Sequence, residues 1–90
     1  MSKSYRLLDI FNAMIKDKVM EALHEHFGKD VTIEPKHGII DDLDGDDMDI
    51  IEVCLAVEEK LNITMPEDKM EHLVTVDDII KLAESESGNI

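Results

Sequence analysis

The sequence predicts an all-α fold, with three main helices, one short helix and a long loop after the first helix. Three segments show apolar residues at three- and four-residue steps, the period of an amphipathic helix. No segment shows the alternation that is typical of a β-strand. A chain of 90 residues with 43% apolar residues is long enough for one domain with its own core.

The first helix is predicted between Tyr5 and Phe27, and Gly28 follows as a C-cap. One face carries its periodic apolar residues: Leu8, Phe11, Ile15, Val19, Ala22, Leu23 and Phe27. We interpret residues 1–14 as a helical extension in front of a main domain of residues 15–83. The extension is itself apolar, so residues 4–14 either pack on the bundle or form a dimer or partner contact.

A long loop, Lys29 to Asp44, contains Pro35 and Gly38 and shows no sustained period. We expect four apolar residues to hold it against the core: Ile33, Ile39, Ile40 and Leu43. The second helix is predicted from Asp46, its N-cap, to Leu61. Its main apolar stripe is predicted to be Met48, Ile51, Leu55 and Leu61, widened by Ile50, Cys54 and Val57.

The last third of the chain predicts two more helices. Met65-Pro66 leads into a short helical turn at residues 67–72. Thr75 and Asp78 have the spacing of a capping box and open a last helix that reaches Ala83. The polar residues 84–90 are expected to form a flexible tail.

Charge limits the possible partners. Nine basic residues stand against 22 acidic ones, a net charge of −13. Such a surface repels nucleic acids and anionic membranes and is attracted to basic patches on partner proteins. No signal peptide or membrane span is apparent, so we expect a cytoplasmic protein. Cys54 is alone in an apolar run and is expected in the core.

Catalytic and metal sites find no support in the sequence. No nucleophile–base pair and no glycine-rich phosphate loop is present, so the chain is not expected to be an enzyme. An EF-hand calcium loop with Gly45 as its glycine would place Ile40 and Ile51 at positions that must bind the ion. Isoleucine cannot bind calcium, so the sequence excludes such a loop. His24, His26, His37 and His72 have no metal-ligand spacing, and no metal site is predicted.

Residues 39–49 read Ile-Ile-Asp-Asp-Leu-Asp-Gly-Asp-Asp-Met-Asp. This stretch resembles the acyl carrier protein pattern of two apolar residues, two acids, Leu-Gly, a variable residue, Asp-Ser-Leu and an acid. The similarity continues through Glu52 and residues 55–61 to Met65-Pro66, without a gap between Asp47 and Pro66, and covers roughly residues 15–83. It implies a four-helix bundle of the acyl carrier type, here with an N-terminally extended first helix.

In that family the serine of the Asp-Ser-Leu turn carries 4′-phosphopantetheine. Asp47 stands at this position, so the cofactor-binding position is predicted to be unmodified and no cofactor is expected. Residues 35–53 contain no Ser, Thr, Tyr or Cys that would replace the serine. The resemblance further implies a partner-binding set that docks on basic surfaces of synthases, acyltransferases and the phosphopantetheinyl transferase: Asp46, Met48, Asp49, Glu52, Glu58 and Glu59.

Three interpretations follow. The first is a pseudo-carrier, an interaction or regulatory module that keeps the carrier shape without covalent cargo. The second is an engineered or variant form of a working acyl carrier protein in fatty acid, polyketide or related biosynthesis. The third is an acidic helical immunity or antitoxin protein. Asp47 itself has two explanations, because aspartate imitates the charge of a phosphate and is also favoured in the first turn of any helix.

Overall fold

Four helices form the protein in the computed structural model, which describes residues 7–87. They are α1 (Leu7–Phe27), α2 (Asp47–Leu61), α3 (Glu67–Met70) and α4 (Val76–Ser87). The described residues contain no strand, and the only pairing of that kind is an isolated bridge between Gly38 and Thr75. The predicted all-α class, with three main helices and one short helix, is confirmed. Tyr5 and the Leu8 side chain lie outside what the structure describes.

The helices enclose one aliphatic core. α1 packs on α2 and α4, and α2 also contacts α3 and α4. The most deeply buried large side chains come from every part of the bundle except α3: Ile15, Val19, Leu23, Ile39, Val53, Val57, Val76 and Ile79. Full burial of such a side chain stabilises the fold by about 1.5–3 kcal/mol. The core is therefore the main source of stability in this small domain.

Helix ends follow the predicted capping residues. Gly28 has a φ of 125°, a conformation that favours glycine, and its N–H donates to the carbonyl oxygen of His24 at 2.8 Å. Thr75 Oγ1 accepts from the N–H of Asp78 at 3.1 Å, while Asp78 Oδ2 accepts from the N–H of Thr75 at 3.0 Å. This reciprocal pair is the capping box predicted at the start of α4.

Backbone hydrogen bonds attach the long loop to the segment before α4. Ile39 N–H donates to the Val74 carbonyl at 2.9 Å, and Val76 N–H donates to the His37 carbonyl at 2.9 Å. Ile33 and Ile39 are buried and Leu43 is half-buried against the core, as predicted. Ile40 is 50% exposed, so its predicted role as an anchor is wrong. The loop thus holds the entrance to α2 in place.

The predicted main stripe of α2 is wrong at Met48 and Leu55, whereas the three residues predicted to widen it are buried. The helix buries Ile50, Val53, Cys54 and Val57, whereas Met48 and Leu55 are 59% and 54% exposed. Apolar residues lie on nearly every side of this helix, so their period does not select one face. The contacts with α1 and α4 select it. Met48 and Leu55, seven residues apart, are left on an outer face.

The end of α4 also differs from the prediction. The helix continues to Ser87, so the first four residues of the predicted tail of residues 84–90 are helical. Ala83 is fully buried, and the side chain of Glu86 accepts from Lys69 Nζ at 3.2 Å. Within the added residues, the contact of Glu86 with Lys69 links α4 to α3. Residues 88–90 lie outside the described part of the chain.

Candidate functional site

The turn into α2 is closed by a reciprocal capping box. Asp46 has extended backbone angles, and its Oδ1 accepts from the N–H of Asp49 at 3.1 Å. Asp49 Oδ2 in return accepts from the N–H of Asp46 at 2.7 Å. Two backbone N–H groups that a helix end leaves unpaired are thereby satisfied. The first turn of α2 is held in a defined position, as the sequence predicts for its cap.

Gly45 suits this turn because three side chains surround it closely. A Cβ atom at this position would lie 3.1 Å from Asp49 Oδ2, 3.1 Å from Phe27 Cζ and 3.2 Å from Ile39 Cγ2. Asp44, one residue earlier, has a φ of 63°, in the left-handed region that Asp tolerates better than most residues. The turn thus packs tightly against α1 and the loop.

Asp47 is the first residue of α2 and is exposed. The helix dipole favours negative charge at this position, whether it comes from a carboxylate or from a phosphate. A phosphodiester linkage needs a side-chain hydroxyl, and Asp47 has none. No Ser, Thr, Tyr or Cys lies anywhere in residues 35–53.

A pocket of about 260 Å³ opens beside Asp47, between α2 and α3. Its lining combines apolar residues with carboxylates at both helices: Asp47, Ile50, Ile51, Glu67, Met70, Glu71 and Leu73. The pocket has the chemistry to accept a small apolar group. Three carboxylates in the lining disfavour an anionic group such as a fatty acid head. Sequence reasoning missed this pocket because four of its seven lining residues come from α3 and the segment after it, far from Asp47 in the sequence.

The predicted partner-binding residues divide into two groups. Met48, Glu52 and Glu59 are exposed, as is Asp46, although one of its oxygens caps α2. Asp49 and Glu58 are engaged within the molecule. The side chain of Asp49 bonds both Asp46 and His26, and Glu58 Oε2 accepts from the N–H of Met65 at 2.6 Å. Four of the six predicted residues therefore have exposed side chains, and docking by the set stays a prediction.

His26, on the last turn of α1, joins that helix to the start of α2. Its Nε2 lies 2.7 Å from Asp49 Oδ1, and its Nδ1 lies 3.8 Å from Glu52 Oε1. The hydrogen bond with His26, followed by that from the Asp46 N–H, lowers the pKa of Asp49 from its usual value, although burial opposes this. The sequence shows no spacing that would reveal this contact, because its members lie 23 residues apart.

Lys60 makes a second link between α2 and α1. Its Nζ donates to Glu21 Oε1 at 2.8 Å and to Glu25 Oε2 at 3.0 Å. The hydrogen bond with Glu21 is the main cause that raises the pKa of Lys60, and the same bond lowers the pKa of Glu21. Lys60 is thus a cation within a strongly acidic surface. Sequence reasoning missed it, since both partners lie on another helix.

Cys54 is fully buried, as predicted. Burial, with a smaller effect of the Glu58 charge, raises the pKa of its thiol to about 12. The thiolate needed for nucleophilic chemistry is therefore not populated at neutral pH. Cys54 is a packing residue.

Comparison with known proteins places this turn in context. The family profile described as a phosphopantetheine attachment site matches residues 17–83, so this part of the chain is a domain of that class. The chain is also 35% identical over 68 residues to the acyl carrier protein of Clostridium acetobutylicum, covering 74% of this chain and 88% of that protein. The chain belongs to the acyl carrier protein family.

Family membership confirms the resemblance to acyl carrier proteins that the sequence shows. Members of this family are carriers rather than catalysts, and they normally bear 4′-phosphopantetheine. They work with synthases and acyltransferases. Among the helices that the structure describes, none has the length and apolar character needed to cross a membrane.

Proposed function

We propose that this protein is a pseudo-carrier, an acyl-carrier-like interaction module that docks on basic surfaces of partner proteins without covalent cargo and without catalysis. The observation that supports the proposal is Asp47. It is an exposed residue at the start of α2, at the position that sequence spacing assigns to the attachment serine.

The chemistry of the turn does not fit attachment of 4′-phosphopantetheine. The transferase reaction joins a phosphate to a side-chain oxygen of a hydroxyl group. A carboxylate at Asp47 would instead have to form an acyl phosphate, which water hydrolyses. Because residues 35–53 offer no side-chain hydroxyl or thiol, the turn has no substitute nucleophile.

The exposed acidic surface supports docking. Three exposed carboxylates lie along α2, those of Asp47, Glu52 and Glu59, and the exposed Met48 side chain lies among them. In a chain of net charge −13, these carboxylates attract lysines and arginines of a partner and speed its approach. Met48 adds an apolar contact in the middle of this charge, which suits a small recognition surface. Asp47 supplies a negative charge close to where a carrier bears its phosphate.

The N-terminal extension provides a second surface. Within the described residues, one face of α1 exposes four large side chains spaced at i, i+3, i+4 and i+7: Leu7, Ile10, Phe11 and Met14. At about 100° per residue, Leu7, Ile10 and Met14 point roughly 90–150° away from the centre of the face that buries Ile15, Val19 and Ala22, whereas Phe11 lies between the two faces. Leu7, Ile10 and Met14 are thus not an extension of the core stripe.

We assign this apolar face to contact with a second copy of the chain. Residues 1–18 contain four basic and two acidic residues, whereas residues 19–90 contain five basic and 20 acidic residues. Two chains of net charge −13 repel each other least where they meet through the N-terminal segment. The apolar face, residues 7–14, therefore lies within the part of the chain where basic residues outnumber acidic ones.

Mass spectrometry tests the loss of cargo. The purified chain is incubated with coenzyme A and a promiscuous phosphopantetheinyl transferase, beside an Asp47→Ser variant as the matched control. We expect no mass gain for the unmodified chain and one added group in the variant. A mass gain that maps to any residue of the unmodified chain would show a working carrier and overturn the proposal.

The identity of the binding partner distinguishes a pseudo-carrier from an immunity protein. Affinity capture from the source organism, with a Glu52→Lys, Glu59→Lys double variant as control, is expected to recover an enzyme of acyl transfer only with the unmodified chain. Recovery of a toxin would instead support the immunity interpretation. Equal recovery by both chains would show that the acidic surface of α2 is not the docking surface.

A further inference from the structure

Three side chains with metal-ligating groups meet where the end of α1 approaches the start of α2. They are His26, Asp49 and Glu52, and one ligand atom from each lies within 4.8 Å of the others. The side chains of His26 and Asp49 are 24% and 30% exposed, so the group is sheltered but open to solvent on the Glu52 side, where exposure is 56%. We propose that these residues form a binding site for one divalent transition-metal ion, with Zn²⁺ as the best match.

The distances support an ion of this size. Zinc binds imidazole nitrogen and carboxylate oxygen at about 2.0–2.2 Å, so ligand atoms around a tetrahedral ion lie roughly 3.3–3.5 Å apart. His26 Nε2 lies 2.7 Å from Asp49 Oδ1, and His26 Nδ1 lies 3.8 Å from Glu52 Oε1. Only one ring nitrogen can bind the ion, so an ion at Nε2 needs an opening of less than about 1 Å between His26 and Asp49 and a turn of the exposed Glu52 side chain toward Nε2, with water at the fourth position.

The surroundings hold two of the three ligands in place. The second oxygen of Asp49 is occupied by the Asp46 N–H at 2.7 Å, which leaves Oδ1 directed to His26. The ring of Phe27 stands edge-on to the His26 ring, with 4.8 Å between centroids. Ligands that are oriented by their neighbours lose less freedom when a metal binds.

The donor set selects the class of metal. An imidazole nitrogen with two carboxylates suits zinc, cobalt or nickel, whereas calcium and magnesium prefer a set made entirely of oxygen. The prediction of no metal site considered spacing along the sequence, and His26 lies on a different helix from Asp49 and Glu52. The fold brings the three together. A bound ion would also tie α1 to α2 and neutralise charge in a strongly acidic chain.

Metal titration of the full chain tests the proposal. The chain is stripped with a chelator and titrated with Zn²⁺ by calorimetry, and with Co²⁺ by visible absorption. We expect one ion per chain, a visible Co²⁺ band of tetrahedral character, and a higher melting temperature with Zn²⁺ through mass action. The exposed His72 provides a histidine control outside the cluster.

The variants decide between this site and diffuse binding by surface acids. His26→Gln and Glu52→Gln are each expected to weaken Zn²⁺ binding at least about tenfold, while His72→Gln leaves it unchanged. Circular dichroism confirms that each variant is folded, and the exposed position of Glu52 makes its variant the safer one. Unchanged affinity in both cluster variants, or equal affinity for Zn²⁺ and Ca²⁺, would overturn the proposal.

Discussion

The carboxylate of Glu58 accepts a hydrogen bond from the backbone N–H of Met65 at 2.6 Å. The backbone carbonyl of the same residue accepts from the N–H groups of Asn62 and Ile63, where α2 ends. Asn62 is left-handed, with a φ of 56°, so the chain reverses here and returns to the core at Met65, which is buried. Glu58 thus organises the connection from α2 to α3.

Glu58→Ala is expected to destabilise the fold by about 1–2 kcal/mol, since a hydrogen bond to a charged group is lost and the Met65 N–H is left without this acceptor. Glu58→Gln keeps an acceptor oxygen and should cost less. The neighbouring Glu59 is exposed, and Glu59→Ala should change stability by less than about 0.5 kcal/mol. Urea unfolding followed by circular dichroism measures all three. If the two alanine variants are equally stable, the hydrogen bond between Glu58 and the Met65 N–H does not contribute to stability.

The difference between Glu58 and Glu59 could not be predicted from the sequence. Local sequence patterns predicted the fold. The apolar period indicated the helices, and Gly28, Asp46 and Thr75 indicated where they end or begin. The resemblance to acyl carrier proteins placed the acids of α2 in one docking group. The structure separates them by partners from elsewhere in the chain, Met65 for Glu58 and His26 for Asp49. Contacts of that kind depend on how helices cross, and residue spacing does not encode the crossing.

The same limit explains the errors in burial. Ile40 and Leu55 are apolar and were expected to face the core, yet both are about half exposed. Neighbouring residues already fill the available core positions, with Ile39 fully buried beside Ile40 and Cys54 fully buried beside Leu55. In an apolar run, only packing decides which side chain enters the core. The identity of the residue at the start of α2, by contrast, is read directly from the sequence.

Asp44→Gly is expected to stabilise the fold by up to about 1 kcal/mol. Asp44 has a φ of 63°, and left-handed backbone costs a residue with a Cβ atom energy that glycine does not incur. Asp44→Asn is the control, because it removes the charge and keeps a side chain that tolerates this conformation. Chemical unfolding compares the three chains. If Asn stabilises as much as Gly, relief of charge repulsion and not backbone strain explains the gain.

Asp78 should make stability depend on pH. Burial acts to raise its pKa, but hydrogen bonds from the N–H groups of Thr75 and Val74 and from the Thr75 hydroxyl together outweigh it and lower the pKa. A folded pKa below the unfolded value of about 3.9 means that the carboxylate stabilises the fold above that pH. This contribution is lost as pH falls through the lower folded pKa.

Asp78→Ala is therefore expected to cost about 1 kcal/mol at pH 7 and progressively less below about pH 4. Asp77→Ala is the matched control, since Asp77 lies in the same helical turn and its carboxylate pairs only loosely with Lys81, at 3.7 Å. The free energy of unfolding is measured from pH 7 to pH 2.5 in both variants and in the unmodified chain. A cost that stays constant across this range would show that the Asp78 charge is not involved.

Met14→Lys is expected to abolish self-association without loss of stability. Met14 is 59% exposed and lies on the apolar face with Leu7 and Ile10, so a lysine there disturbs a contact between chains but no core packing. Ala13→Lys is the matched control, because residue 13 is also exposed and points away from both the apolar face and the core.

Sedimentation velocity over a range of concentrations measures the effect, with melting temperatures recorded beside it. The unmodified chain and Ala13→Lys should form a dimer, and Met14→Lys should remain a monomer with the same melting temperature. An unmodified chain that stays monomeric at every concentration would contradict contact between copies. The apolar face would then be assigned to a different partner protein, since its four side chains do not pack into the core of their own chain.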